Sequence, residues 1–369
     1  DATPSMRGFA TGAEYRTLVA QTFANASPNG APARYFELST AVSGGIQPVE
    51  TKARVAQASF YARGNTRLET AIDSMQSGRL TVLVTDLFQS DADVNAVGQR
   101  LIERVLTKGK AVGIIGARLP FDGRIYDLGF ENRSFLYRGG RPVYALVLGE
   151  TEAVTTYFEN VRRYVEAEDF RFLILSERVA SSPASFGPLE ETKNARSRSI
   201  PFATDLPSDR ITYAEIVDNN LMVHLTRSVS LPLYPDVSPV NMQDIMVDVS
   251  DAWTYDPNAE SYASAHSKVE AISGKVTSTD DRSLLRLRVD PTRLSRGNHA
   301  FNMRLSVSEL GTPQWVEDWH LPSREFDVES PDGSRTANLK PFFLNLSSNL
   351  THATRPDLGT FQVLIRKDR

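Results

Sequence analysis

The sequence predicts an α/β domain with a mostly parallel sheet covered by helices on both faces, followed by an all-β antiparallel sandwich domain. Three observations predict it. Apolar runs alternate with helix-period segments through about residue 175, the pattern of parallel strands buried on both faces. After about residue 176 the helical period gives way to short alternating runs separated by turn residues, the pattern of antiparallel strands. Between the two lies SSPASFGPLEETKNARSRSIP, which reads as a linker or long surface loop. The boundaries that follow are 1–175 for the first domain, 176–210 for the linker and 211–369 for the second domain.

Residues 11–25 place Tyr15, Leu18, Val19 and Phe23 on one helical face. RYFEL at 34–38 reads as a short strand, and Gly44, Gly45 and Pro48 mark a loop leading toward a helix near 50–60. Leu68 to Met75 fits a short helix, and LTVLVTD at 80–86 a buried strand. Asp91 and Asp93 stand at the cap of a helix carrying Val94, Val97, Leu101 and Val105, which Gly109 ends. AVGIIGA at 111–117 and PVYALVLG at 142–149 are buried strands, separated by a hairpin excursion with a Gly-Gly turn. Val154, Tyr157, Phe158, Val161 and Val165 mark a helix at 150–165. FRFLIL at 170–175 is a further strand or the bridge to the second domain. There, LMVHLTR, DIMVDVS, KVEAISGKV, SLLRLRV, AFNMRLSV, FFLNL and TFQVLIRK read as strands. Trp315 and Trp319, at even spacing, read as one buried strand face.

Composition narrows the function. The chain has 369 residues, 41% hydrophobic and 23% charged, which suits two globular domains. No apolar run is long enough to span a membrane. A net charge of −4 without a dense Lys/Arg block leaves no electrostatic footprint for nucleic acid. The absence of cysteine excludes disulfides, thiol nucleophiles and thiolate metal sites. The five histidines are His224, His266, His299, His320 and His352, without recognised metal-ligand spacing, so surface or core roles are expected for them. Metal or proton chemistry in the first 223 residues must therefore use carboxylates and hydroxyls. The chain opens without an initiator Met, a signal peptide or a hydrophobic strand before Asp1, as a fragment or processed product would.

Three separated pieces carry the chemistry. The first is Asp1-Ala2-Thr3-Pro4-Ser5, a D-x-T-x-S pattern. The second is Gly64-Asn65-Thr66, just before the helix starting near Leu68. The third is Thr85-Asp86, at the carboxyl end of the most hydrophobic strand, where ligands of open α/β sheets bind. Taken singly, these are an Asx-turn, a helix cap and a strand end. Together they supply two carboxylates and four hydroxyls, the oxygen donors a small hard cation prefers.

In these three loops, in this order, residues 1–175 resemble the von Willebrand factor A family and its metal-ion-dependent adhesion site. The resemblance implies that Asp1, Thr3, Ser5, Thr66 and Asp86 form the site and that the ion is Mg²⁺, with Mn²⁺ or Ca²⁺ as substitutes. It implies direct or near-direct ligation by Thr3, Ser5 and Thr66, with Asp1 and Asp86 as charge and water anchors. The chain departs from the family in placing Leu87 where a glycine is usual and in a short spacing from Thr66 to Asp86. The strand that precedes the first loop in the family is also missing upstream of Asp1. The implied function is metal-dependent binding to a protein partner that offers a carboxylate, in a bacterial cell-envelope or exported setting. A cytosolic assembly factor working with an ATPase is the variant. The alternatives are a metal-dependent phosphohydrolase with Thr3 or Ser5 as nucleophile, and a structural subunit of a larger complex.

Overall fold

The computed structural model describes residues 1–25, 33–49, 52–61, 64–76, 78–87, 91–128, 133–165, 170–178, 182–217, 222–231, 240, 244–278, 282–326, 328 and 331–368. The chain folds as two compact units, the first Asp1–Glu177 with Gly311–Thr354 and the second Arg178–Leu310 with Arg355–Arg369.

The first unit opens with a 3-10 turn, Pro4–Phe9, and helix α1 (Ala13–Asn25). Strands β1 (Phe36–Leu38) and β2 (Ile46–Pro48) form a small antiparallel sheet. In place of the expected helix near 50–60 stand two 3-10 turns, Lys52–Ala56 and Ala58–Tyr61. Then follow α2 (Leu68–Asp73), β3 (Thr81–Thr85), α3 (Asp91–Arg104), β4 (Ala111–Ile125), β5 (Phe135–Gly149), α4 (Thr151–Arg162) and β6 (Phe170–Leu175).

The main sheet of this unit runs β3-β5-β4-β6, and every neighbouring pair is antiparallel. This overturns the mostly parallel, von Willebrand factor A/Rossmann-like sheet expected from the sequence. The cause lies in residues 118–141. They are no excursion: β4 and β5 stay paired from Ala111↔Gly149 to Ile125↔Phe135, and Gly139 and Gly140 lie inside β5 rather than at its turn. The helical connections β3-α3-β4 and β5-α4-β6 do join strands of like direction, but each passes over one position. The antiparallel hairpin partner fills that position. Alternating periods thus report strand direction and leave the neighbours open. Burial follows from the pairing. Val112, Ile114, Ile115 and the run Val143 to Leu148 are buried on both faces of the sheet.

In the second unit the chain continues through β7 (Ser185–Glu190), β8 (Ala195–Arg196), β9 (Ile211–Ile216), β10 (Val223–Ser230), β11 (Ile245–Asp256), β12 (Ser261–Ser264), β13 (Ile272–Ser278), β14 (Ser283–Val289) and β15 (Gly297–Val307). It then returns to the first unit with α5 (Gln314–Trp319), the short parallel pair β16 (His320–Leu321) and β17 (Thr336–Ala337), and α6 (Leu339–Thr354). The second unit is completed by β18 (Asp357–Lys367).

Two local readings change here. FFLNL, expected as a strand, lies in α6, whose buried Leu339, Phe342, Phe343, Leu346 and Leu350 form a helical stripe. Five residues, four of them apolar, are too few to separate the two periods. Trp315 and Trp319 are buried as expected, but one turn apart on α5, with ring centroids 5.3 Å apart.

The second unit is one mixed sheet in the order β7-β10-β14-β13-β11-β15-β18-β9-β8, with β12 paired to β11. All pairs are antiparallel except β18 with β9. The expected two-sheet sandwich is replaced by a sheet that curls nearly closed. Arg227 of β10 shows how. Its guanidinium donates to Phe186 O and Gly187 O of β7, to Ile211 O (3.0 Å) and Thr212 Oγ1 (2.8 Å) of β9, and to Asp209 O. One buried cation spends all five donors holding together strands near opposite ends of the sheet order. Among the described residues of the chain, no helix is long and apolar enough to cross a membrane.

Candidate metal centre

The first loop is held by backbone bonds that leave it in opposite directions. The Asp1 amine donates to Val84 O of β3 at 2.9 Å, and the Ala2 amide donates to Leu38 O of β1 at 3.0 Å. Asp1 and Ala2 thus lie between the carboxyl ends of two strands. Pro4 at the first position of the following 3-10 turn reverses the chain, which brings Thr3 and Ser5 back toward Asp1.

The hydroxyls converge on the Asp1 carboxylate. Thr3 donates to Asp1 Oδ1 through its amide (3.0 Å) and its hydroxyl (2.7 Å). Thr66 Oγ1 lies 3.0 and 2.9 Å from the two Asp1 oxygens and 3.1 Å from Thr3 Oγ1. Ser5 Oγ is 3.1 Å from Thr3 Oγ1. A hydroxyl has one proton to give, yet Thr3 Oγ1 faces three oxygens. The cluster offers more lone pairs than protons, which is the character of a cation site.

Local backbone explains why Thr66 arrives there. Gly64 has φ +69°, and an added Cβ would lie 2.5 Å from Ser39 Oγ and 2.7 Å from the Ala41 nitrogen. Only glycine fits without displacement. Thr40 and Asn65 then exchange bonds: the Thr40 amide donates to Asn65 O, and the Asn65 amide donates to Thr40 Oγ1, both at 2.9 Å. The Gly64-Asn65-Thr66 loop is thereby fixed beside the end of β1.

Asp86 stands apart from the hydroxyl cluster in its pairing. Its Oδ2 lies 3.4 Å from Arg141 Nη2, with both side chains almost fully buried, at 2% and 3% exposure. Arg141 also donates to Gly333 O at 3.2 Å, lies over the Phe121 ring and leaves its Nε without a hydrogen-bond partner. Tyr15 is nearby: burial, then Tyr61, then the charge of Asp86 hold its pKa well above the ordinary value. Leu87 has φ +52°. Leu87 thus holds a backbone conformation that favours glycine, a strain that often marks functional positions.

Arg141 escaped the sequence reading of the site, and Thr85, named beside Asp86 in the third piece, was not counted among the site residues. Thr85 Oγ1 donates to Asp1 Oδ2 at 2.9 Å and accepts from the Leu87 amide at 3.2 Å. Its signal was a hydroxyl at the polar end of an apolar strand. Arg141 begins the apolar run of β5, and a cation leading a buried strand calls for a buried partner. The cap expectation for Asp91 and Asp93 falls on side chains outside the described residues, although α3 does begin at Asp91.

The donor types are those a small hard ion takes: one carboxylate and three hydroxyls linked through Thr3 Oγ1, with a second carboxylate on the adjoining strand end. Among the described residues no group of three or more His, Asp or Glu side chains is placed to hold a metal, so hydroxyls must complete any set. From Thr66 a polar groove of about 590 Å³ opens, lined by Arg67, Glu69, Asp73, Arg100 and Glu103 among others. No protein-family model, curated protein or solved structure matches the chain.

Proposed function

We propose that Asp1, Thr3, Ser5, Thr66 and Asp86 hold one divalent cation, Mg²⁺ first, and that the protein is a binding protein which engages a carboxylate of a protein partner. The observation that carries this reading is the convergence on Thr3 Oγ1, which lies within 3.1 Å of oxygens of Asp1, Ser5 and Thr66, with Thr66 also contacting Asp1. The order of the three loops, as in the von Willebrand factor A family, supports it. The ion, when bound, supplies an electrophilic position that a partner carboxylate can fill. Asp1 orients Thr3 and Thr66 by accepting from both hydroxyls, and Thr85 holds the second oxygen of the same carboxylate. Asp86 adds negative charge, which Arg141 partly offsets.

One observation favours an enzyme: Thr3 Oγ1 and Asp1 Oδ1 are 2.7 Å apart, the separation of a nucleophile and its base. Thr3 is only 3% exposed, which favours the binding reading because a substrate must reach the attacking oxygen.

Calorimetry with Mg²⁺ and Mn²⁺ on wild type, Ser5→Ala and Thr66→Val tests the proposal. Wild type is expected to bind one ion, and each variant at least tenfold more weakly with its fold intact by circular dichroism. Null titrations throughout, or equal affinities, reject the site. Phosphatase activity lost in Thr3→Val but kept in Thr66→Val would support the hydrolase instead.

A further inference from the structure

The strand register of the second unit gathers basic side chains face to face. Lys275 of β13 stands directly opposite Arg286 of β14, and His224 of β10 directly opposite Arg288 of β14. All four side chains are exposed on the outward face. Arg286 and Arg288 are two residues apart, so they share that face about 7 Å from each other. Like charges directly opposite one another destabilise a sheet, and a sheet selected for stability alone would alternate them.

The nearest described acids form their ion pairs with other residues, and the charge of Arg288 is felt at Asp290 without such a pair. Glu190 pairs with Arg282, Asp357 with Arg304, and Asp290 with Arg293 and Thr292. Asp248, on the same face of β11, stands opposite Arg304. Among the described residues, Lys275, Arg286 and Arg288 have no side-chain ion pair within 4.0 Å. Around them the face presents Thr226 and Ser273, and Met246, 44% exposed, stands opposite Lys275. Arg and Met are residues that protein interfaces favour.

We propose that this outward face of β10, β14 and β13 is a docking surface for an extended acidic segment of a partner protein. The segment runs along β14 with carboxylates at alternate positions, whose spacing matches Arg286 and Arg288, while Lys275 takes a third. A nucleic acid fits less well. The face carries no Phe, Tyr or Trp at these positions on which bases stack, and the chain's net charge of −4 opposes a long polyanion. An anionic membrane fits less well too, since three cations beside one exposed methionine make a small polybasic patch. The inference is independent of the metal centre.

The test is fluorescence anisotropy of a labelled heptapeptide alternating Glu and Ser, in 50 mM and 300 mM salt, against the full chain. Wild type is expected to bind at low salt and at least fivefold more weakly at high salt, and to ignore the Gln/Ser counterpart. Arg286→Gln with Arg288→Gln is expected to weaken binding at least tenfold, whereas Arg138→Gln in the first unit leaves it unchanged. Lys275→Glu is expected to raise Tm while weakening the peptide, because it replaces a like-charge pair with an opposite one. Equal affinity in the double variant, no binding at low salt, or a Tm lowered by Lys275→Glu overturns the proposal. So does tighter binding of single-stranded DNA or phosphatidylserine vesicles through the same residues.

Discussion

Arg141 and Asp86 form a buried ion pair at 3.4 Å beside the Asp1 cluster, and neither side chain exceeds 3% exposure. Removing one partner strands the other charge in the interior. Arg141→Met and Asp86→Ala are each expected to lose about 3–5 kcal/mol of stability. The double variant Arg141→Met with Asp86→Ala is expected to lose markedly less than the sum. Urea unfolding of the four proteins measures it, and additive losses would show that the pair is not coupled. The same physics makes Asp86→Ala a poor probe of metal binding, which is why Ser5 and Thr66 serve better.

Gly64→Ala is expected to damage both fold and site. The methyl would sit against Ser39 and the Ala41 backbone at a φ of +69°, a conformation costing about 1–2 kcal/mol for an L side chain. Thr66, two residues on, would shift with the loop. Lower Tm together with weaker Mg²⁺ binding is the expected outcome. Unchanged Mg²⁺ affinity at lowered Tm would mean that the loop adjusts without moving Thr66.

Arg227→Lys is expected to open the curled sheet of the second unit. Lysine keeps the charge but has three donors in place of five and no planar fork, so several of the five acceptors lose their bond. A loss of about 3 kcal/mol or more follows from the unpaired buried carbonyls. Hydrogen exchange is expected to accelerate at β7 and β9 first, and uniform acceleration across the unit would contradict the clasp.

Acid should destabilise the second unit through His299. Burial lowers its pKa to about 4, and Lys268 and Lys367 add to the effect against the opposing bond to Ser295 O. Above about pH 6.5 the ring is neutral folded and unfolded, and its contribution is complete. As pH falls toward 4, the unfolded chain takes up a proton that the folded one refuses, so stability falls by about 1.4 kcal/mol per pH unit within this window. Below 4 the effect levels off. His299→Gln is expected to flatten the Tm profile between pH 6.5 and 4, and a profile identical to wild type would place the acid sensitivity elsewhere.

Much of this was legible in the sequence, and the failures have definite causes. The strands at 81–85 and 170–175 and the helices carrying Val97 and Val154 are local features, written in burial periods over a few residues. The three loops holding Asp1, Thr3, Ser5, Thr66 and Asp86 could be named because hydroxyls and aspartates stood at strand ends and before a helix. Arg141 could not be placed, since its partner is fifty-five positions away and nothing local links them. FFLNL misled because so short a run satisfies both periods until Leu339 and Leu350 are included.

By itself the sequence determined where the segments are, which side chains they bury and which oxygens could share a site, because these depend on neighbours along the chain. Tertiary structure decided how the segments are ordered. It placed β5 between β3 and β4, returned Gly311–Thr354 to the first unit and used Arg227 to curl a single sheet where two were expected. The physical reason is that strand pairing and ion pairing join residues far apart in the chain, and the cost of closing those loops is repaid only when the whole surface is buried together.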